Sequence, residues 1–188
     1  MHIISKDAFD FKRQAKGLFS VQGSALAGLF MAMYIILSEF NIRISSVLEI
    51  RFAFLMLAGA GLFGGPLMGI VVGAGADIIS TIMTGQAFFF GFTFSYAFLG
   101  CLFGFIFYRK IPNLPRCIAG SIVDALISLF INTYWLAVMY GSPYAALFVT
   151  RTPKCLVMLV VDVILLSVVL RVFQRVLSSL HMQAFSME

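Results

Sequence analysis

The sequence predicts an all-α integral membrane protein, a bundle of six transmembrane helices with the N- and C-termini in the cytoplasm. Three observations lead to this prediction: an apolar composition, six apolar segments, and the distribution of Lys and Arg between the loops. Of 188 residues, 61% are hydrophobic and 11% are charged, and the mean hydropathy is +1.02. Soluble domains are about 45–50% apolar and about 25% charged, so a single water-soluble core could not enclose this much apolar surface.

The apolar segments set the number of helices. They are 18–39, 52–64, 66–84, 91–108, 116–140 and 152–173. The second is shorter than the ~20 residues of a transmembrane helix. It meets the third at Gly64-Gly65-Pro66, a turn signal at which the chain can reverse. Strands of alternating polarity are missing from the sequence, and backbone groups in lipid need internal hydrogen bonds, so the segments are predicted to be helices.

The charges of the loops decide between six spans and five. With six spans and a cytoplasmic N-terminus, nine cations lie inside and four outside. The inner cations are Lys6, Lys12, Arg13, Lys16, Arg109, Lys110, Arg116, Arg171 and Arg175, and the outer ones are Arg43, Arg51, Arg151 and Lys154. With five spans the numbers become six and seven, which contradicts the preference of Lys and Arg for cytoplasmic loops. The predicted organisation is therefore a cytoplasmic segment 1–17, one transmembrane domain 18–175 and a cytoplasmic tail 176–188.

Motifs of catalysis and cofactor binding are missing from the sequence. The histidines, His2 and His181, lie in the tails, which excludes HExxH zinc sites and His-dependent triads. Residues 59–64 match GxGxxG, but no strand precedes them, so they do not predict a dinucleotide site. A phosphate loop, GxxxxGK[ST], does not occur. We therefore predict no enzyme activity, no cofactor and no metal site. The sequence also lacks a basic stripe with interleaved aromatic residues, so no nucleic-acid partner is predicted.

Small residues recur at every fourth position in four of the apolar segments. They are Ser24, Gly28 and Ala32 in the first, Gly61, Gly65, Gly69 and Gly73 across the second and third, and Gly100 and Gly104 in the fourth. In lipid, such stripes let helices approach closely. The glycines of 61–73 predict packing inside the bundle. The stripe of the first segment either packs inside as well or docks the helix of a partner.

Three carboxylates, Asp77, Asp124 and Asp162, lie inside predicted spans. A carboxylate in the membrane is costly and is by default a candidate for function. Asp77 lies on the glycine-rich span that leads to the outer face, which makes it a candidate for ligand binding. For Asp124 and Asp162 the favoured interpretation is a structural hydrogen bond to a neighbouring hydroxyl or amide.

Aromatic and polar residues concentrate at the predicted outer face. Residues 88–96 read FFFGFTFSY, and 132–154 contain the single Trp next to an Asn and two cations. An aromatic belt at the membrane interface accounts for part of this pattern. An aromatic wall with convergent polar groups and a cationic rim also suits a flat heteroaromatic ligand with negative charge. The predicted binding residues are Arg51, Asp77, Phe90, Thr93, Tyr96, Asn132, Trp135, Arg151 and Lys154.

Three blocks of the sequence resemble a known family of membrane proteins. They are LFGGPLMGIVVGAGADII (62–79), FFFGFTFSYAFLGCLFGFIF (88–107) and NTYWLAVMYGSPYAALFVTRTPK (132–154). In order and spacing, from about residue 18 to 170, they are similar to the substrate-binding (S) components of energy-coupling-factor (ECF) vitamin transporters. Within that family the sequence resembles the folate-specific S component most. One departure is the first-span stripe, which has Ser and Gly where an Ala-x-x-x-Ala pair is typical.

The resemblance implies a subunit that binds folate from outside and has no ATPase of its own. It would act in the cell membrane of a gram-positive bacterium with a transmembrane T component and two cytoplasmic ATPases, toppling in the lipid bilayer to carry the ligand inward. Ser24, Gly28 and Ala32 would form the surface that docks the T component. Three alternatives remain open: an S component for riboflavin, pantothenate or a queuosine precursor; a membrane-embedded enzyme, such as an intramembrane protease or lipid-modifying protein; and a structural partner without a ligand.

For folate, the expected arrangement has the pterin deep and the glutamate tail near the surface. The pterin is expected against Trp135, Tyr96 and Phe90, with Asn132 and Asp77 at its hydrogen-bonding edge. Arg51 and Arg151 are expected to meet the tail, with Lys154 and Arg43 nearer to solvent.

Overall fold

The structure, a computed structural model, describes residues 10–40, 42–43, 49–85 and 88–179, with side chains in 10–40, 51–85 and 88–175. The helices are α1 (Phe11–Leu18), α2 (Val21–Glu39), α3 (Ala53–Thr84), α4 (Phe90–Phe107), α5 (Leu114–Leu126), α6 (Asn132–Tyr140) and α7 (Tyr144–Ser179). A π-helical turn (Ile127–Ile131) joins α5 to α6, and two short strands, β1 (Ile42–Arg43) and β2 (Glu49–Ile50), pair antiparallel. Among the described residues, five helical stretches are long and apolar enough to cross a membrane: α2, α3, α4, α5 with α6, and α7. The predicted helical membrane fold is confirmed, apart from the short β pair.

The first apolar segment begins later than predicted because a separate helix precedes it. Asp10 caps α1 by accepting a backbone hydrogen bond of 3.2 Å in the first turn. Ser20 caps α2 by accepting from the Gly23 N–H at 3.1 Å. Side-chain oxygens at these positions satisfy backbone donors that a helix start leaves without partners. The predicted cytoplasmic segment 1–17 thus contains all of α1 except its last residue, Leu18, while residues 1–9 lie outside the described part of the chain.

Within α3 the chain reverses direction at Gly65. This residue has φ +78° and ψ −168°, a conformation that glycine adopts at little cost, and Pro66 follows it. Leu57 and Gly69 both lie against Gly100 of α4. In a straight helix, residues twelve positions apart would be about 18 Å from each other, so the stretches before and after Gly65 lie side by side. We call them the first and second arms of α3. The turn signal in the sequence predicted this reversal.

The first arm of α3 forms the centre of the bundle. Every residue from Ala53 to Leu62 is buried, as expected for a helix that is apolar on all sides. From Ala53 to Gly64 the arm is about 18 Å long at 1.5 Å per residue, shorter than the ~30 Å hydrocarbon core. The first arm therefore brings the residues just before it, including Arg51, into the interior of the bundle.

Glycines bring the second arm of α3 into backbone contact with α4. A Cβ atom at Gly69 would overlap the carbonyl oxygen of Gly100, and one at Gly73 would overlap that of Tyr96. In the first arm, a Cβ at Gly61 would lie 2.7 Å from the backbone nitrogen of Gly104. These glycines pack inside the bundle, the interpretation that their spacing favours.

This packing makes a prediction about stability. Gly69→Ala is expected to lower the free energy of unfolding by about 1–3 kcal/mol, because the added methyl group meets backbone that cannot move aside. Gly28→Ala on α2 is the matched control, since no atom lies within 4 Å of a Cβ placed there. Thermal unfolding of both variants in detergent measures the difference. Equal midpoints would contradict the close contact between α3 and α4.

Arg151 and Lys154 lie inside α7, whereas the sequence indicated a segment that begins at 152. Helix α6 ends at Tyr140 and is followed by Gly141, which has φ +63°, and α7 begins at Tyr144. Pro153 made the helix hard to predict, because an internal proline removes a backbone hydrogen bond. Since both cations are on a helix, their side chains have defined directions.

Candidate ligand-binding site

A cavity of about 100 Å³, which we call the charged cavity, lies where the segment before α3, the end of α5, the π-helical turn and α7 meet. It is lined by Arg51, Asp124, Ala125, Ser128, Arg151, Lys154, Cys155, Met158 and Asp162. Three of these residues are cations and two carry carboxyl groups. Such a site offers acceptors for N–H groups and donors for carboxylates within one small volume.

Helical spacing explains why these side chains meet. Arg151, Cys155, Met158 and Asp162 are separated by four, three and four positions, so they lie on one face of α7. On the other wall, Asp124 and Ser128 are one helical turn apart in the same way. Arg51 comes from a different part of the chain and is brought in by the buried first arm of α3.

Arg51 is surrounded by polar groups of several helices. Burial lowers the pKa of its guanidinium, but Tyr96, Asp124 and Tyr34 raise it more, so that the pKa lies above its usual range. Arg51 is therefore charged at every physiological pH. A fixed positive charge beside Asp124 is suited to holding an anionic group of a ligand.

Arg151 is held in place by a hydrogen bond to Thr133 of α6, which is bonded in turn to the π-helical turn. Its NH1 group donates to the Thr133 hydroxyl at 3.2 Å, and this hydroxyl donates to the Ser128 carbonyl at 3.3 Å. The guanidinium is half-buried at the wall of the charged cavity. Short π-helical turns are frequent at functional sites, where they redirect side chains. Arg151 thereby connects α7 to α6 and, through Thr133, to the π-helical turn.

An aromatic cluster forms around the single Trp. The Trp135 ring lies 5.7 Å from Phe89 and 5.1 Å from Tyr134, and its Nε1–H donates to the Ser95 hydroxyl at 3.1 Å. Gly91 leaves room for the indole, because a Cβ atom there would lie 2.5 Å from it. The cluster joins the start of α4 to α6.

The remaining predicted residues occupy different positions around these helices. The Thr93 hydroxyl donates to Asp77 Oδ2 at 2.6 Å and connects α4 to the second arm of α3. Tyr96 is half-buried, with its ring 6.2 Å from that of Tyr34. Asn132 is buried, and its Oδ1 has no hydrogen-bond partner among the described residues. A buried acceptor without a donor is uncommon and is a candidate for contact with a ligand.

The structure brings only some of the predicted binding residues together. Arg51, Arg151 and Lys154 line the charged cavity. Phe90 does not join the aromatic cluster, because it begins α4 with its side chain 73% exposed, and Phe89 contacts Trp135 in its place. The side chain of Arg43 lies outside the described residues.

Sequence reasoning left the role of two carboxyl groups undecided. For Asp124 and Asp162 it favoured structural hydrogen bonds without excluding a function, and in the structure both line the charged cavity. Ser128 and Met158 were not singled out at all. The signal that would have found Asp162 and Met158 is the helical periodicity from Arg151 onward, which becomes visible only when α7 is known to begin before Arg151.

The small-residue stripe of α2 faces outward. Ser24, Gly28 and Ala32 are all exposed, and the space next to Gly28 is open. This differs from the glycines of α3, which touch α4. The stripe is therefore accessible to another helix in the membrane.

Comparisons with known proteins agree on one family. A family profile described as ECF transporter, substrate-specific component, matches residues 23–170. The folate transporter FolT of Clostridium novyi (strain NT) is 34% identical over 145 residues, which cover 73% of this chain and 84% of that protein. The folate transporter FolT of Leuconostoc mesenteroides subsp. mesenteroides is 28% identical over 146 residues, covering 73% and 78%. A solved structure described as FolT bound with folic acid matches with a TM-score of 0.69 and 27% identity, covering 78% of this chain and 89% of that one.

Proposed function

The chain belongs to the family of substrate-specific components of ECF transporters, and from this premise we propose that it binds folate and delivers it to such an importer. The family is one of transporter components, as the sequence predicted. Two relatives carry the name folate transporter, and a similar solved structure is described as bound with folic acid.

The observation that carries the proposal is the set of charges around one cavity. Folate consists of a flat pterin, an aminobenzoyl ring and a glutamate with two carboxylates. Arg51, Arg151 and Lys154 provide cations for the glutamate. Asp124 and Asp162 provide acceptors for the ring N–H and exocyclic amine of the pterin. The charged cavity thus offers groups that match the chemistry of each end of folate, although its present volume is too small to hold both ends at once.

We infer that Asp124 and Asp162, and not Asp77, meet the pterin. The Oδ2 atom of Asp77 already accepts from Thr93, and Asp77 does not line the charged cavity. We therefore assign Asp77 and Thr93 to the joint between α3 and α4, next to the site. Asn132 remains a candidate for the pterin edge, because its Oδ1 has no hydrogen-bond partner in the part of the chain that the structure describes. Trp135 and Tyr96 remain candidates for stacking on the pterin.

The charged cavity must enlarge to hold folate. Its volume is about 100 Å³, whereas ligand pockets usually measure ~300–1,000 Å³. Met158 and Lys154 have long, flexible side chains that can move aside at low cost. Trp135 does not line the cavity, but it is two positions from Thr133, which accepts from Arg151 at the cavity wall. Binding is therefore expected to change the environment of Trp135.

The orientation and partners follow from the family and from the charge distribution. We propose six spans with cytoplasmic termini and a transmembrane domain of 18–175; the reversal at Gly65 and the positive-inside tally support this count. The partners would be a T component and two ATPases, with the exposed stripe of α2 as docking surface. The relatives from Clostridium and Leuconostoc support a gram-positive cell membrane as the location.

A fluorescence titration tests the proposed ligand. Because Trp135 is the single Trp of the chain, its emission reports on the site alone. Purified protein in detergent is expected to show saturable quenching with folate and none with riboflavin or thiamine. Trp135→Phe should abolish the signal, while calorimetry still detects folate binding. A response to riboflavin or thiamine, without one to folate, would assign the protein to another vitamin.

A further inference from the structure

A second cavity lies at the end of the bundle opposite the aromatic cluster. It measures about 380 Å³ and is enclosed by α1, the first turn of α2 and the tip of the α3 hairpin. Its polar wall consists of Arg13, Gln14, Lys16, Ser20, Gln22 and Tyr108. We call it the α1 cavity. Tyr108 follows the last residue of α4, whereas the aromatic cluster contacts the first turn of that helix, so the two sites are separated by the length of α4.

The α1 cavity is part of the folded structure because α1 is held firmly against the bundle. Gln14 is buried, and its Oε1 accepts a hydrogen bond from the Leu67 backbone N–H at 3.2 Å. The ring of Phe11 packs edge-on against Phe105 at 6.4 Å. These contacts fix the distance between α1 and the tip of the α3 hairpin, and with it the width of the cavity.

The lining of the α1 cavity is positively charged. Arg13 and Lys16 contribute cations, Gln22 contributes a neutral amide, and the described lining contains no carboxylate. The Ser20 hydroxyl is already used, because it donates to the Gly17 carbonyl at 2.6 Å. The nearby acid, Asp10, is exposed and accepts a hydrogen bond from the backbone N–H of Arg13. Arg and Lys combined with neutral donors are the groups that proteins use to bind phosphate.

Apolar side chains next to the cavity point to a membrane lipid as the source of the phosphate. Phe19 and Val21 are 84% and 86% exposed. In the chain they alternate with Leu18, Ser20 and Gln22, which line the cavity. Exposed apolar residues beside cations are typical of the membrane interface, where acyl chains and headgroups meet. Leu18 and Met68 add apolar surface to the cavity itself. A free phosphate ion would leave most of this volume and all of the apolar lining unused.

We propose that the α1 cavity binds the headgroup of an anionic phospholipid, with its phosphate at Arg13 and Lys16 and its acyl chains along Phe19 and Val21. The lipid would connect α1, α2 and the hairpin tip of α3 at the membrane surface. This proposal is independent of the ligand bound in the charged cavity.

The test measures lipid binding to the delipidated full-length protein in a neutral detergent. Phosphatidylglycerol, phosphatidylcholine and inorganic phosphate are titrated separately, and bound lipid is counted by native mass spectrometry. Lys16→Gln is expected to weaken phosphatidylglycerol binding about fivefold, the effect of one interfacial cation. Its matched control is Lys12→Gln, which removes the same charge from an exposed residue of α1 outside the cavity lining.

A second pair of variants tests the sign of the charge without removing a packed group. Gln22 is exposed and lines the cavity, so Gln22→Glu should weaken phosphatidylglycerol binding and Gln22→Lys should strengthen it. The double variant Arg13→Gln/Lys16→Gln should lose about twentyfold or more. Lys12→Gln/Arg171→Gln removes two exposed cations elsewhere and serves as its control.

Each outcome decides the proposal. Selective loss in the cavity variants, with phosphatidylcholine binding weaker throughout, supports a lipid headgroup site. Equal binding of phosphatidylcholine would overturn the role of the anionic charge. Competition by inorganic phosphate at similar concentrations would make this an ion site and not a lipid site. Equal losses of phosphatidylglycerol binding in the cavity variants and in their controls would mean that the lipid responds to the overall surface charge, which would overturn a specific site.

Discussion

Arg151→Ala is expected to weaken folate binding about tenfold or more, with little effect on 6-hydroxymethylpterin, which lacks the glutamate tail. A hydrogen bond to a charged group contributes about 1.5–3 kcal/mol, and about 1.4 kcal/mol corresponds to a factor of ten in affinity. Arg151 is half-buried at the charged cavity, so water screens its charge less than at an exposed site. Calorimetric titration of both ligands measures the difference.

Two further variants separate charge from structure. Arg171→Ala removes an exposed cation from the same helix and should leave folate affinity unchanged. Arg151→Lys keeps the charge but not the planar pair of donors, so it should restore only part of the affinity. Equal losses for folate and 6-hydroxymethylpterin, with a lower unfolding temperature, would mean that Arg151 mainly supports the contact between α6 and α7 through Thr133.

Enlarging the exposed stripe of α2 is expected to abolish folate uptake while leaving folate binding intact. Gly28 and Ala32 are exposed one helical turn apart, and no atom lies within 4 Å of a Cβ placed on Gly28. A side chain at Gly28 therefore begins in open space and Ala32 is exposed, so the fold is expected to tolerate Gly28→Leu and Ala32→Trp. If this face docks the T component, the larger side chains separate the two proteins, because small residues are what allow close helix contact in lipid.

The measurements are calorimetric folate binding in detergent and folate uptake in vesicles that contain the complete transporter. Leu29→Trp is the matched control, since Leu29 is exposed on the same helix, one residue from Gly28 and outside the stripe. It should retain both binding and uptake. If the stripe variants transport normally, the T component docks elsewhere. If they lose binding and uptake together, the stripe supports the fold.

Much of the architecture is determined by features that are local in the sequence. An apolar fraction of 61% is incompatible with a water-soluble core of this length. The apolar segments predicted the ends of α4, and of the continuous stretch from α5 to α6, to within one or two residues. Gly64-Gly65-Pro66 located the reversal in α3, because a positive φ and a missing N–H are properties of those residues themselves. Three blocks of sequence also identified the family.

The composition of the site depends on tertiary structure. Arg51, Asp124 and Asp162 lie far apart in the chain and meet because the short first arm of α3 brings Arg51 in between α5 and α7. Local sequence signals contain no information about contacts between distant segments. From the sequence, Asp124 and Asp162 were therefore interpreted as separate structural groups. Whether Phe89 or Phe90 contacts Trp135 depends on where α4 begins, because successive side chains of a helix point about 100° apart. The position of Arg151 likewise required α7 to continue through Pro153, which packing against the bundle stabilises and local propensity opposes.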